Sequence, residues 1–342
     1  MQVGPEFVCA ARGALACLVH EAPYDAARMS RREPELVSVV TPMLNEEGTA
    51  RRFYERLGDA LEGLPWELIV VDDGSTDGTR AILAELAEAD HRVKVIELSR
   101  NFGHQTAITA GLDHATGDAI VMIDGDLQDP PELIVTMLDC WRDGVDVVYA
   151  ARTEREGETR FKLATANLFY KLLSQISSVP VARNSGDFRL LDRRALDALL
   201  CMRERNRYLR GMTVWIGFTQ TAVPYKRDAR YAGETKFSLT RMVRFSLDAI
   251  ASFSHVPLQI ATLIGFAVAA LAFLMIPVAI VFRVAGQFVP GVTTTIIAVL
   301  LLGGIQLMAI GMIGEYVGRI YDEVKARPLY FVSQRRNLPD GD

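Results

Sequence analysis

The chain is predicted to fold as a doubly wound α/β domain followed by apolar membrane helices. Three observations predict it. Five aliphatic runs, "LVSVVT", "ELIVVD", "VKVIEL", "DAIVMI" and "VDVVYA", alternate with stretches of helical periodicity. Three of those runs end in acidic loops. The C-terminal third carries two long spans without charge, which account for the positive mean hydropathy.

Residues 1–34 come first and say least. "FVCAARGALACLVH" has the apolar character of a signal-peptide core, but no basic residue precedes it, and the domain that follows reads as cytosolic. A disordered or loosely attached leader is expected. From 35 to 235 the aliphatic runs have the near-continuous hydrophobicity of parallel strands covered on both faces. Between them "EEGTARRFYERLGDALEGL", "DGTRAILAELAEA", "HQTAITAGLDHAT" and "PELIVTMLDCWRDG" place apolar residues at helical spacing.

The membrane elements follow. A juxtamembrane interface helix is expected over 236–256, with transmembrane helices over 257–283 and 291–314. The charge-free stretches within them, 258–282 and 292–313, each exceed the ~20 residues that cross a bilayer. The short connection between them predicts a hairpin with both outer ends on one side. Arg241, Arg244, Arg319, Lys325, Arg327, Arg335 and Arg336 flank those ends, which puts them, the main domain and the 315–342 tail in the cytoplasm. "TRFKLATANLFYKLLSQI" is amphipathic and suits the membrane interface, although a helix packed on the core would read the same way.

Bulk chemistry excludes several classes. A net charge of −5 provides no global basic field for nucleic acid. Four cysteines without C-x-x-C pairing favour reduced structural thiols. No G-x-G-x-x-G follows the first strand, which disfavours a dinucleotide-binding dehydrogenase.

Ligands of such sheets bind outside the carboxyl ends of the strands. There the sequence places "TPMLNEE", "DDGSTDGT" and "DGDLQD". Asp72, Asp73, Gly74 and Ser75 have the composition of a turn with a helix cap. Asp124 and Asp126, two apart in what reads as an extended segment, point to one side and suit a hard cation, with Gln128 as a further oxygen. A metal ion, a basic side chain or water would each relieve the crowding of Asp124, Asp126 and Asp129. His104, His114 and His255 lack metal-ligand spacing and read as structural or capping residues, and Trp66, Trp141 and Trp215 as packing residues.

"VVTPMLNEE", "VVDDGSTDGT", "GDAIVMIDGDLQDPPELI", "NSGDFRLLDRRAL" and "RYAGETKF" together resemble family 2 glycosyltransferases of GT-A fold. The likeness is closest to the polyprenyl-phosphate glycosyltransferases, the group of dolichol-phosphate mannose synthase and the bactoprenol glucosyltransferases. It implies inverting transfer of a hexose from a nucleotide-sugar donor to undecaprenyl phosphate at the cytoplasmic membrane face, with Mg²⁺ or Mn²⁺ as cofactor. Glucose from UDP-glucose is the expected donor sugar. Mannose or an aminoarabinose derivative is the alternative, and a non-catalytic membrane scaffold is the rival from another class. Motif positions assign Pro42, Glu46, Val71 and Asp73 to the nucleotide, and Asp124, Gly125, Asp126 and Gln128 to metal and diphosphate. They give phosphates to Arg152, Arg230 and Lys236, and the neighbourhood of the reacting centre to Asp187. Arg160 and Lys162 are expected to meet the acceptor phosphate, and homo-oligomerisation is expected. The chain departs from the family pattern at Leu44, Gly125 and Thr235, where relatives carry Tyr, Ala and Ser.

Overall fold

The computed structural model describes residues 33–153, 185–226 and 291–338, with scattered helical positions between 263 and 281. The leader, both amphipathic segments and most of the first apolar span lie outside these residues, as do Arg160, Lys162, Arg230 and Lys236.

The five predicted strands form as read: β1 (Val37–Met43), β2 (Trp66–Asp72), β3 (Val93–Leu98), β4 (Ala119–Met122) and β5 (Val147–Arg152). So do the helices between them, α1 (Ala50–Ala60), α2 (Thr79–Ala89), α3 (His104–Leu112) and α4 (Leu133–Arg142). Each of α1, α2 and α4 buries one stripe, and Phe53 and Leu57, Leu83, and Ile134 and Trp141 share a core with Val37, Val39, Leu68, Val70 and Val121. The alternate strand positions face α3. A Cβ on Gly111 would lie 2.3 Å from Val40 Cγ1 and 3.1 Å from Val71 Cγ2, so glycine is what lets α3 approach the sheet. Burial on both faces explains why these strands are aliphatic throughout.

The sheet is mixed rather than parallel, which corrects the expectation. Its order is β7-β5-β6-β4-β1-β2-β3-β8. Between β4 and β5 runs β6 (Ser185–Asp192), antiparallel to both. It is followed by α5 (Arg193–Cys201), α6 (Leu209–Trp215) and β7 (Gln220–Tyr225). Because β6 reverses direction, its amino-terminal Asp187 arrives at the rim where β1, β2, β4 and β5 end. Asp192 caps α5 by accepting from Arg194 N at 3.1 Å. Trp66 and Trp141 are buried, but Trp215 is 66% exposed and is no packing residue.

After the sheet comes α7 (Val292–Val324), 33 residues and about 50 Å long. Leu301–Val324 is long and apolar enough to cross a membrane. Its first charged pair, Glu315 with Arg319 at 3.0 Å, lies beyond the charge-free stretch. From Pro328 the chain belongs again to the compact unit that holds the sheet. There β8 (Val332–Arg336) adds to the β3 edge antiparallel, with Ile96 opposite Arg335.

Candidate active site at the carboxyl rim of the sheet

The loops after β1 and β2 are latched together. Asn45 N donates to Ser75 Oγ at 2.9 Å, Glu46 N to Thr79 Oγ1 at 2.8 Å, and Gly78 N to Glu47 Oε2 at 2.8 Å. Asn45 adopts φ +56° and Gly74 φ +81°. A Cβ on Gly74 would stand 2.7 Å from the Asn101 amide nitrogen, so this loop abuts the one that follows β3.

Asp72 and Asp73 divide the work of that crossing. Buried Asp72 accepts from Ser75 N at 3.2 Å and Arg80 Nε at 2.8 Å, as a turn-and-cap residue does. Asp73 accepts from Phe102 N at 2.7 Å and Gly103 N at 3.0 Å, fixing the entry to α3. Burial, aided by the Asp72 charge, raises the Asp73 carboxyl, and the two amides and His104 oppose that rise. Val71 is fully buried with its side chain against α3, and Pro42 lies opposite it in the β1–β2 register. Any nucleotide contact from this pair runs through backbone.

Helix α3 then brings an unforeseen residue to the rim. His104, its first residue, directs Nε2 to Asp124 Oδ1 at 3.3 Å and to Asp187 Oδ2 at 3.5 Å. Of the structural or capping roles expected of it, the contacts are those of a structural bridge and not of a cap. Partial desolvation of a side chain that remains 45% exposed works against the imidazolium, but the Asp187 contact and the Asp124 charge raise its pKa to about 9. A cation at a helix N-terminus opposes the helix dipole, so the two carboxylates are what hold it there.

Asp187 is the most heavily bonded carboxylate of the site. It takes Arg210 Nε at 2.7 Å and Arg210 Nη2 at 3.0 Å as a bidentate pair, with Gln105 Nε2 at 3.2 Å. Gln105 in turn accepts from Leu209 N at 3.0 Å, joining α3 to α6. Burial alone would raise Asp187, yet the Arg210 charge and the His104 contact hold it well below the usual carboxylate range. Such a group is a poor proton acceptor. Two residues along β6, Arg189 is buried against Thr213 and the Arg210 carbonyl, and desolvation lowers its pKa to about 10.

The acidic turn after β4 is not extended: Leu127 adopts φ +59°, and Asp126 Oδ1 accepts from Gln128 N at 3.1 Å. Gly125 is packed so tightly that a Cβ would meet Met43 Cε at 2.9 Å. The Asp129 carboxylate turns to β7 while staying close enough for its charge to act on Asp124. Fully buried, it accepts from Tyr225 OH on β7, which accepts from Arg152 Nε at 3.2 Å. Burial and Asp129 push that phenol up to about 12. Asp124 stays in the site. Burial, with Asp187, Asp129 and Asp126 nearby, lifts it to about 6 against the pull of His104.

A dication fits these residues. Among the described residues Asp124 Oδ1 is buried with no hydrogen-bond partner and has a long contact to His104. Among the described residues no three His, Cys, Asp or Glu side chains form a ligand set by themselves. An ion held through Asp124 and Asp126 would therefore complete its shell with substrate oxygens and water, as Mg²⁺ and Mn²⁺ do.

Residues 38–200 match the family model for glycosyl transferase family 2. Bacillus subtilis YkcC, an uncharacterised glycosyltransferase, is 47% identical over 300 residues, covering 87% of this chain and 93% of that one. The chain belongs to glycosyltransferase family 2. The bactoprenol glucosyl transferase of Shigella phage SfX is 41% identical to this glycosyltransferase over 88% of its length and 99% of the phage protein. Among solved structures, the mannosyltransferase PcManGT from Pyrobaculum calidifontis, in complex with GDP-Man and Mn²⁺, aligns with 92% of this chain and 94% of its own. Identity there is 17% and the TM-score 0.40, so the fold description rests on the strand order given above.

That order is a GT-A-like mixed α/β sheet with a long C-terminal apolar helix. Of the residues expected at the site, Asp73, Asp124, Asp126, Gln128, Arg152 and Asp187 come to one rim. Sequence reasoning missed His104, Gln105 and Arg210. "GHQ" at the start of the helix that follows β3 was the available signal, and in the structure its glycine sets the helix entry at φ +99°.

Proposed function

We propose that this glycosyltransferase moves glucose from UDP-glucose onto undecaprenyl phosphate at the cytoplasmic face of the membrane, with inversion at the anomeric carbon. The observation that carries the reading is the 41% identity spanning nearly all of a bactoprenol glucosyl transferase. The long apolar helix supports a lipid acceptor, which does not leave the bilayer.

An ionised oxygen of the lipid phosphate attacks the anomeric carbon opposite the diphosphate. The new C–O bond forms as the bond to the diphosphate oxygen breaks, and the nucleoside diphosphate leaves with the electron pair. A phosphate monoester is largely ionised at neutral pH, so no proton has to be removed. This agrees with the low basicity of Asp187, to which we assign the orientation of His104 and of the acceptor side of the rim. Asp124 and Asp126 would hold Mg²⁺ or Mn²⁺, which when bound supplies Lewis-acid stabilisation of the departing diphosphate. The latched loops carrying Glu46 and Asp73 bind the nucleotide, with backbone contacts from Pro42 and Val71. Arg152, Arg230 and Lys236 meet donor phosphates, for which guanidinium geometry is suited. Arg160 and Lys162 meet the acceptor.

The test supplies membranes containing the full chain with a panel of radiolabelled UDP- and GDP-sugars and polyprenyl phosphate, with and without Mg²⁺. Label from UDP-glucose entering the lipid fraction supports the reading. Label from a GDP-sugar or a UDP-aminoarabinose derivative alone moves the assignment to the alternative sugars, and no labelled lipid from any donor refutes it.

A further inference from the structure

The segment that leaves α7 returns to the sheet and touches both ends of the helix that carries His104. Tyr330 OH donates to Asp113 Oδ2 at 2.8 Å, directly after the last residue of α3. The Phe331 ring lies 6.5 Å from that of Phe102, two residues before the first. Ser99 N donates to Phe331 O at 2.9 Å, and Ser333 Oγ to Glu97 O at 3.0 Å, so the contact runs directly into the β3–β8 ladder. Asn337, at φ +55°, closes the segment by donating to Ala87 O at 2.6 Å and Val93 O at 2.9 Å.

Phe102 is the key link. One side of its ring carries the Arg100 guanidinium at 4.0 Å, and its amide is a donor to Asp73. A ring that shifts there moves the two amides that define where α3 begins. His104 and Gln105 follow immediately, and both contact Asp187.

We propose that Tyr330 and Phe331 are positioning residues. They clamp α3 at its two ends and so hold His104 and Gln105 in register with Asp124 and Asp187. The inference rests on reading this rim as the sugar-transfer site. It makes the segment following the apolar helix part of the catalytic unit instead of a passive tail. Neither side chain is assigned a contact with substrate. An aromatic pair and a charge-accepting hydrogen bond are each small beside global stability, so their loss should loosen α3 locally without unfolding the domain.

The experiment compares the full-length wild type with Phe331→Ala, Phe331→Tyr and Tyr330→Phe by amide hydrogen exchange and by transfer kinetics. In Phe331→Ala, exchange across residues 102–107 should quicken by about fivefold to tenfold while α4 is unchanged. Transfer kcat should fall by about the same factor with donor KM within about twofold, and Phe331→Tyr should restore both. Tyr330→Phe should quicken exchange near Asp113. The proposal is overturned by unchanged exchange in both α3 windows, or by quickening shared equally with α4. Normal kcat with loosened α3 overturns it as well. A wild type without transfer activity would sink the functional reading alone, since the exchange arm reads the clamp independently.

Discussion

Arg210 grips Asp187 through two parallel hydrogen bonds, Nε to Oδ1 at 2.7 Å and Nη2 to Oδ2 at 3.0 Å, and the carboxylate is 7% exposed. Removing one partner leaves an uncompensated buried charge, which typically costs about 3–5 kcal/mol. Arg210→Met should therefore destabilise the catalytic unit by about 3 kcal/mol. Asp187→Asn should cost less, because the amide keeps an acceptor and Arg210 is nearer to solvent. Denaturant unfolding of both variants measures the difference, and equal losses would contradict the ion-pair account.

His104 joins the two sides of the rim. Its contacts to Asp124 and Asp187, at 3.3 and 3.5 Å from a side chain that is 45% exposed, are ion pairs worth about 1 kcal/mol each at most. Transfer by His104→Ala should fall about tenfold. His104→Gln, which keeps one donor, should recover part of that loss. Steady-state kinetics at fixed Mg²⁺ decide it, and a wild-type rate in the alanine variant would remove His104 from the site.

Gly74 and Gly63 share φ +81° but not their surroundings. Space around Gly63 is open, whereas a Cβ on Gly74 meets the backbone of Arg100 and Asn101. Alanine at Gly63 should cost about 1 kcal/mol, from backbone conformation alone. Alanine at Gly74 should cost about 3 kcal/mol, and it should also disturb nucleotide binding, since the two loops must separate. Equal thermal shifts would contradict the packing described.

Asp90 supplies a pH-dependent term away from the site. Hydrogen bonds from Arg92, against the cost of burial, lower its pKa to about 2, and Tyr54 OH donates at 2.8 Å. The unfolded value is about 3.9, so the folded value is depressed. Its stabilisation, on the order of 2 kcal/mol, is complete above about pH 5 and is lost as pH falls toward 2. Asp90→Asn should be less stable at neutral pH and converge with wild type near pH 2. Urea unfolding at pH 7 and pH 2.5 tests the sign.

The first half of the fold was legible because β1 to β5 are aliphatic and α1, α2 and α4 each show one apolar stripe. The rest was written in charge. The strand β6 reads "SGDFRLLD", and its Asp187 and Arg189 are buried charges whose partners come from α3 and α6, so hydrophobic pattern alone does not reveal a central strand. The edge strand β8, "VSQRR", is polar because one edge suffices to pair it. The carboxylates of the site were visible as loop motifs. Their cations were not, since His104 and Arg210 are 106 residues apart in the chain and converge on Asp187 of β6. Asp129, read as part of the crowded acidic turn with its relief left open between a metal, a basic side chain and water, is tied to Tyr225.

The most direct measurement is Mg²⁺-dependent transfer of radiolabelled glucose from UDP-glucose to polyprenyl phosphate by wild type and Asp126→Asn, paired with Mn²⁺ binding followed by electron paramagnetic resonance. The account predicts labelled lipid from wild type only, abolition by chelator, and Mn²⁺ binding weakened by about a hundredfold or more in the variant. Normal glycolipid formation by Asp126→Asn, or synthesis indifferent to chelator, would contradict it.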